Sequence, residues 1–440
     1  MKEILDLVKS YIEDKHSKQT WEPGKDWVQY AGPYFDSTEF TNVVEVLLKE
    51  WLVLGAKGIS FEKKFPKHFD KAHGILTNSG SSSNLLMMAA MKSKRLYNLK
   101  DVKVLVPAAG FPTTVNPIIQ NGFKPIFVDI ELETLNVDTD KLEEAAATNP
   151  DAKIITFAHV LGNPPNMDEV MDIVYAYDLI LLEDCCDALG STYDNKPLGS
   201  FGEMSSCSFY PAHHITMGEG GFVACKTHEQ EQVIRSFRDW GRGCYCVGKA
   251  NLLRNGSCNC RFNNWIPAFP DKTFDHKYVY EEIGYNLKPI EMQAAMGLAQ
   301  LDKLDDIKEK RIRNYSLLLK SFAKYEDVFI LPYPRAKSDP NWFAFPVTLR
   351  ENAPFDRTKL CEFLEDHKIQ TRPYFAGNIM LQPGYSDIDP DTDYVNDFPV
   401  ATYAMLNTFF LGTSPVITPE KIDWVTEVLD NFMAAVTINR

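Results

Sequence analysis

The sequence contains no uninterrupted run of about 20 apolar residues, the length a membrane helix needs, so no transmembrane span is expected. It also lacks a basic excess. Its 46 Lys and Arg against 60 Asp and Glu leave a net charge of −14, which gives no electrostatic support for binding nucleic acid or an anionic membrane. The first twenty residues, MKEILDLVKSYIEDKHSKQT, lack the apolar core of a secretory signal, and the expected compartment is the cytoplasm. There is no internal repeat and no low-complexity linker. In a reducing compartment the nine cysteines do not read as a disulfide framework. What is present is ordinary for a globular chain: 45% hydrophobic and 24% charged residues over 440 positions, enough for one large domain and a smaller one.

The first 50 residues carry helical spacing at Ile4, Leu7, Val8 and Tyr11. From about residue 74, short apolar runs alternate with helical stretches: GILTNSG, KVLVPAAG, KPIFVDI, KIITFAHVLG, LILLEDCCD, SCSFYPA and GGFVACK. Buried strands separated by helices predict a largely parallel α/β sheet, whose ligands sit at the carboxyl ends of the strands. A Cys/Gly/Asn-rich segment interrupts the order at 241–275. A long helical stretch is read from Tyr280 through Phe322, and FAFPVTL followed by helices predicts a smaller α+β unit. The expected division is a helical segment over 1–50, a large domain over 51–300 with the insert at 241–275, and a small domain over 301–440.

Three features point to a phosphate and a pyridine ring. Asn78-Ser-Gly-Ser-Ser-Ser83 lies between a strand and a helix, where small residues let backbone amides and a helix N-terminus meet a phosphate. LILLEDCCDA is a buried strand ending in acids. A carboxylate there needs a partner, and a protonated pyridine nitrogen is one; a capping aspartate is the plain alternative. Finally, Ser208 opens the loop SFYPAHHITMGEGG, and Gly218-Glu-Gly-Gly221 closes it.

Together with PAAGFPTTVNPIIQNGFKPIFVDIELETLNVD, HVLGNPPNMDEV and GYNLKPIEMQAAMGLAQLDKL, these stretches resemble the sugar aminotransferases of the DegT/DnrJ/EryC1 type across nearly the whole chain. The resemblance implies an α/β fold of the type I pyridoxal-phosphate transferases: a mostly parallel seven-stranded sheet flanked by helices, plus a smaller C-terminal α+β domain. It implies Phe111 stacking on the cofactor ring and Asp184 pairing with its nitrogen. Gly80, Ser81, Ser82 and Ser208 would hold the phosphate. Asn286 would reach into the partner subunit's site of a homodimer.

The chain departs from that pattern at its centre. Counting from Ser208, the sixth residue of the loop is the family's cofactor-holding lysine, and here it is His213. Asp187 follows two cysteines where the aminotransferases carry His or Gln. A narrower subgroup shares both departures: the dehydrases that remove the 3-hydroxyl of a CDP-linked 4-keto-6-deoxyhexose in 3,6-dideoxyhexose biosynthesis for surface polysaccharide. A GDP-linked branch shares the histidine but not the cysteines. Without the lysine, the cofactor is expected as pyridoxamine phosphate held non-covalently. His213 is then the base at its C4′ carbon, since imidazole titrates near neutrality. Tyr210 and Asp187 are candidate helpers, and His214 at most a supporting one. The alternatives are a C4 aminotransferase without a redox cluster, for which Lys196 and Lys226 are out of position, or a non-catalytic metal or redox sensor.

Five cysteines form the pattern Cys186, Cys244-Tyr-Cys246, Cys258-Asn-Cys260. On spacing alone zinc and iron–sulfur are equally suited. The subgroup resemblance implies a 2Fe–2S cluster on Cys186, Cys244, Cys246 and Cys258, with Cys260 competing for the fourth place, and a flavin-dependent reductase partner. The remaining cysteines, 185, 207, 225 and 361, read as small core residues. For a sugar-nucleotide substrate, Arg372 in TRPYFAGN is the best candidate anion ligand, ahead of Arg238, Arg242, Arg254 and Arg261. His159 and Asn163 are candidates for the sugar pocket. Trp342 and Phe343 resemble active-site aromatics and suit a core equally well.

Overall fold

In the computed structural model, which describes residues 1–244, 261–263 and 265–438, the apolar runs pair into one seven-stranded sheet. In chain order its strands are β1 (His73–Thr77), β2 (Lys103–Pro107), β3 (Lys124–Val128), β4 (Ala152–Ala158), β5 (Ile180–Asp184), β6 (Met204–Ser208) and β7 (Gly221–Cys225). Their spatial order is β1-β7-β6-β5-β4-β2-β3. All neighbours from β6 to β3 are parallel, and β7 runs antiparallel to both β6 and β1. Both faces are covered, which explains the continuous apolar runs. Along β2, Val104 and Val106 enter one core while Leu105 enters the other.

A second sheet has strands β8 (Phe329–Ile330), β9 (Ala344–Leu349), β10 (Arg372–Pro373) and β11 (Thr408–Gly412), in the antiparallel order β8-β9-β11-β10. Its core joins Phe322, Phe345, Val347, Phe409 and Leu429, and also takes in Val28 from near the chain start. The chain opens with α1 (Lys2–Ser17), and the helices that bear on the site are α2 (Gly80–Ala90), α3 (Pro112–Gln120) and α4 (Leu304–Phe322). Leu304 and Ile307 of α4 pack in a large-sheet core, and Tyr315 and Leu318 pack in the second core. No described helix is long and apolar enough to cross a membrane.

The helical spacing near the chain start forms α1, in which only Ile12 is buried while Leu7 and Tyr11 are exposed. One sequence expectation is corrected. The stretch from Tyr280 is not helical until Glu291, and the helix Glu291–Leu301 is separate from α4. Pro289 has no amide to donate and keeps Lys288 out of helical geometry, so the helix starts after it, with the Ile290 amide donating to Gln293 Oε1 at 2.7 Å.

Candidate active site

Register builds the site. Thr77, Gly221 and Ser208 pair across β1, β7 and β6, bringing the turn after β1 against the loop after β6. A Cβ on Gly221 would lie 2.2 Å from the Ser79 carbonyl oxygen, and one on Gly80 would lie 2.5 Å from Ser208 Cβ. Only glycine permits either approach. Beside this junction, at the carboxyl ends of the parallel strands, lies a cavity of about 780 Å³. Its wall includes Gly80, Ser81, Phe111, Asp184, Cys186, Asp187, Ser208, Tyr210, His213 and Arg372, so most of the residues singled out in the sequence meet in one place.

Ser79 caps α2, its hydroxyl accepting the Ser82 amide at 3.1 Å. The first amides of the helix, at Gly80 and Ser81, have no intrahelical acceptor, and both residues line the cavity. Ser82 is turned to the cap instead, its hydroxyl accepting from Ser79 Oγ at 2.9 Å. Asn78 Oδ1 is buried without a partner at the same end of the cavity. Small residues, free amides and an unsatisfied amide oxygen fit a phosphate and its bound water.

At the middle of the wall Asp184 is nearly buried, and four donors hold it. Its Oδ2 accepts from Asn84 Nδ2 at 2.7 Å and Thr114 Oγ1 at 2.9 Å. Its Oδ1 accepts from the Cys186 amide at 3.1 Å and Ser206 Oγ at 3.2 Å. A fixed, buried carboxylate facing a cavity suits a cationic ring nitrogen. Phe111, at the start of α3, is half exposed into the same space and braced edge-on by Phe375 at 6.0 Å.

His213 lies across the cavity wall. Burial pushes its ring down to about 4, so it is neutral at neutral pH. Its Nδ1 is 3.5 Å from Asp187 Oδ1 and makes no hydrogen bond. Burial and the Asp184 charge push Asp187 up to about 7. Phe343 packs on the His213 ring at 5.1 Å and lines the cavity, whereas Trp342 stacks on Tyr315 at 4.5 Å in the core. His214 faces elsewhere. It is buried, with Nε2 2.7 Å from the Asn341 carbonyl. Tyr210 is half exposed on the cavity rim. Among the described residues no lysine lines the cavity, and Lys226 pairs with Glu203 at 2.9 Å on the surface.

Other expected residues are not brought together. His159 is fully buried just past the end of β4, turned away from the cavity that its neighbours Ala158 and Val160 line. Its Nε2 lies 3.0 Å from Glu183 Oε1. The two-residue period of a strand puts it beneath the site, away from any sugar. Asn163 is likewise buried, donating to the Tyr333 carbonyl at 3.1 Å. Arg238 is spent on Glu62, Asp239 and the Leu76 carbonyl. Arg372 does line the cavity, its guanidinium 4.4 Å from the centre of the Tyr30 ring. Asn286 is exposed and outside this chain's own cavity, accepting from Lys288 Nζ at 2.8 Å. Cys186 is at the cavity and Cys244 is buried; Cys246, Cys258, Cys260 and Arg254 lie outside the described residues.

Sequence reasoning missed Asn84, Thr114, Tyr30 and Arg311. Asn84 sits one turn after Gly80, a polar residue on an otherwise apolar helix face, which is a readable signal. Arg311 stands in a run of charges, KEKRIRN, that reads as solvated, and nothing local marks it as buried.

Residues 33–430 match the DegT/DnrJ/EryC1/StrS aminotransferase family. The lipopolysaccharide biosynthesis protein RfbH of Salmonella typhimurium is 41% identical over 433 residues, 98% of this chain and 97% of that protein. A dTDP-4-dehydro-2,6-dideoxy-D-glucose 3-dehydratase of Saccharopolyspora spinosa is 37% identical over 98% of this chain and 92% of its own length. Among solved structures, the Escherichia coli GDP-4-keto-6-deoxy-D-mannose-3-dehydratase with bound hydrated PLP has a TM-score of 0.80 at 29% identity, covering 92% of this chain and 99% of that one. Sheet order, site and similarity agree: the chain has the fold of the type I pyridoxal-phosphate transferases and belongs to the DegT/DnrJ/EryC1/StrS aminotransferase family.

Proposed function

We propose that this chain is a pyridoxamine-phosphate-dependent dehydratase that removes the C3 hydroxyl of a nucleotide-linked 4-keto-6-deoxyhexose, CDP-linked by resemblance. One observation carries the reading. A cavity with a phosphate cradle and a fixed ring-facing carboxylate has a neutral histidine where an aminotransferase keeps its lysine. Two relatives named as 3-dehydratases support the same class of chemistry.

When bound, the cofactor supplies an amine for the 4-keto group and a ring that accepts electrons. The amides of Gly80 and Ser81, with Ser208, would hold its phosphate. Asp184 would pair with the ring nitrogen, and Phe111 would stack on the ring. His213 would take a proton at the C4′ carbon, and Phe343, packed on its ring, would limit water around it. Asp187 orients the His213 ring, and Tyr210 stands at the rim beside the sugar. Arg372 meets the diphosphate with its planar fork. Cys186 and Cys244, with Cys246 and Cys258, are proposed to hold a 2Fe–2S cluster that passes electrons from a flavin-dependent reductase. Asn286 is proposed to complete the site of a partner subunit in a homodimer.

The test replaces one atom set. His213→Asn keeps the ring's approximate size and loses the base. It should bind pyridoxamine phosphate as the parent does. In D₂O with the CDP-linked sugar it should lose C4′ hydrogen exchange by about 100- to 10,000-fold. Unchanged exchange rejects His213 as the base.

A further inference from the structure

We propose that Arg311 is a positioning residue for His213, its guanidinium setting the aim of that ring by clamping the backbone on both sides of it. The proposal rests on His213 being the base. Arg311 is in the middle of α4, where the helix passes from one core to the other, and it is 1% exposed. Its Nη2 donates to the carbonyls of His213 at 3.2 Å and Ala212 at 3.4 Å. Its Nη1 donates to the carbonyls of Phe343 at 2.9 Å and Trp342 at 3.3 Å, and to Thr413 Oγ1 at 3.3 Å. Thr413 in turn donates to the same two carbonyls, at 2.7 and 2.9 Å.

One planar fork therefore ties the loop that carries the histidine to the strand entry that carries Phe343, the aromatic packed on that histidine. Among the described residues no carboxylate lies within ion-pair distance of Arg311. Its donors are met by backbone carbonyls and the Thr413 hydroxyl, and the Asp187 carboxyl acts on its charge from beyond ion-pair distance. A buried cation without a counter-ion is costly, and a helix that needed only packing there would do better with an apolar side chain. The fork geometry also matters. Lysine is a point charge that cannot bridge two backbone segments in the same plane. Burial brings Arg311 down to about 9, which leaves it cationic at neutral pH.

A double-mutant cycle tests this. The parent, Arg311→Met, His213→Asn and the double variant are compared by C4′ hydrogen exchange of pyridoxamine phosphate with CDP-4-keto-6-deoxyglucose in D₂O. Pyridoxamine phosphate affinity and near-UV circular dichroism are measured alongside. Misplacing a reacting group by about 1 Å costs roughly 100-fold. Arg311→Met should lower kcat by roughly that factor while KM and cofactor affinity stay near the parent's, and it should have no further effect in the His213→Asn background. Guanidinium ion at millimolar concentration should restore part of the loss. An equal loss in both backgrounds, or no loss in a folded Arg311→Met protein, overturns the positioning role and leaves His213 as the base. Undiminished exchange in His213→Asn alone overturns both. Should Arg311→Met fail to fold, Arg311→Lys keeps the charge without the fork. It must show the same non-additivity, and additive behaviour there refutes the clamp.

Discussion

His213 and Asp187 face each other at 3.5 Å with opposite displacements, a ring brought down to about 4 and a carboxyl brought up to about 7. Both groups are neutral over the pH range between these values, which is the cheapest way to bury an acid beside a base. The signs have consequences in the cofactor-free protein. Asp187 is held protonated, so the stability it contributes is full below about pH 4 and is lost as pH rises through about 7. His213 is held neutral, so its contribution is full above about 6.5 and is lost as pH falls through about 4. Asp187→Asn removes only the first. Melting curves of that variant and the parent should diverge in favour of the variant between pH 5 and 8, by at most about 4 kcal/mol; parallel curves would mean Asp187 is an ordinary carboxylate. Asp184 is the contrasting case, an acid with four donors aimed at it. Asp184→Ala takes the Asp184 acceptor from Thr114 and one of two acceptors from Asn84, which keeps the Thr113 carbonyl, and it removes the proposed counter-charge to the ring. Pyridoxamine phosphate should bind roughly 10- to 100-fold more weakly by fluorescence titration, from a loss of about 1.5–3 kcal/mol.

Among the elements, the junction of β1, β7 and β6 carries the site, and it is held by backbone proximity. Gly221→Ala would drive a methyl group into the Ser79 carbonyl and push the α2 turn away from Ser208. A stability loss of about 1–3 kcal/mol is expected in urea unfolding, together with weaker phosphate-dependent cofactor binding. Normal binding would show that the cradle does not depend on this contact. This junction was half legible in sequence. The GEGG closure and the NSGSSS turn were readable as a turn and a helix start, because glycine and serine leave a local mark. Their approach to each other was not, since strand order is a non-local property. His159 shows the same limit: its place at a strand end was right, but a strand alternates faces, and the face of a single residue is set by the register of neighbouring strands. Arg311 was invisible because α4 runs between two cores, so a position that reads as solvated on one helix is enclosed by β9 and the His213 loop.

For the whole molecule, the fold class was legible, and most of the candidate site residues meet at one cavity because they sit at the carboxyl ends of apolar runs. Of the four proposed cluster ligands, Cys186 and Cys244 lie among the described residues. Anaerobic purification should yield a brown protein with about two irons and two sulfides per chain; a colourless protein carrying zinc contradicts the cluster. The proposed sharing of sites between two subunits makes a second prediction. His213→Asn and Asn286→Ala, each impaired alone, should regain activity when mixed under subunit exchange, because one site of the hybrid is intact; no recovery would mean Asn286 serves its own chain. The central claim is that this chain eliminates at C3 where an aminotransferase would act at C4. The direct measurement is the ¹³C spectrum of CDP-4-keto-6-deoxyglucose incubated in H₂¹⁸O with the enzyme and pyridoxamine phosphate, with no reductase. Reversible loss and return of the hydroxyl should shift the C3 resonance through its ¹⁸O label, and His213→Asn should abolish the shift. An unlabelled C3 with an amino group newly attached at C4 would contradict the claim.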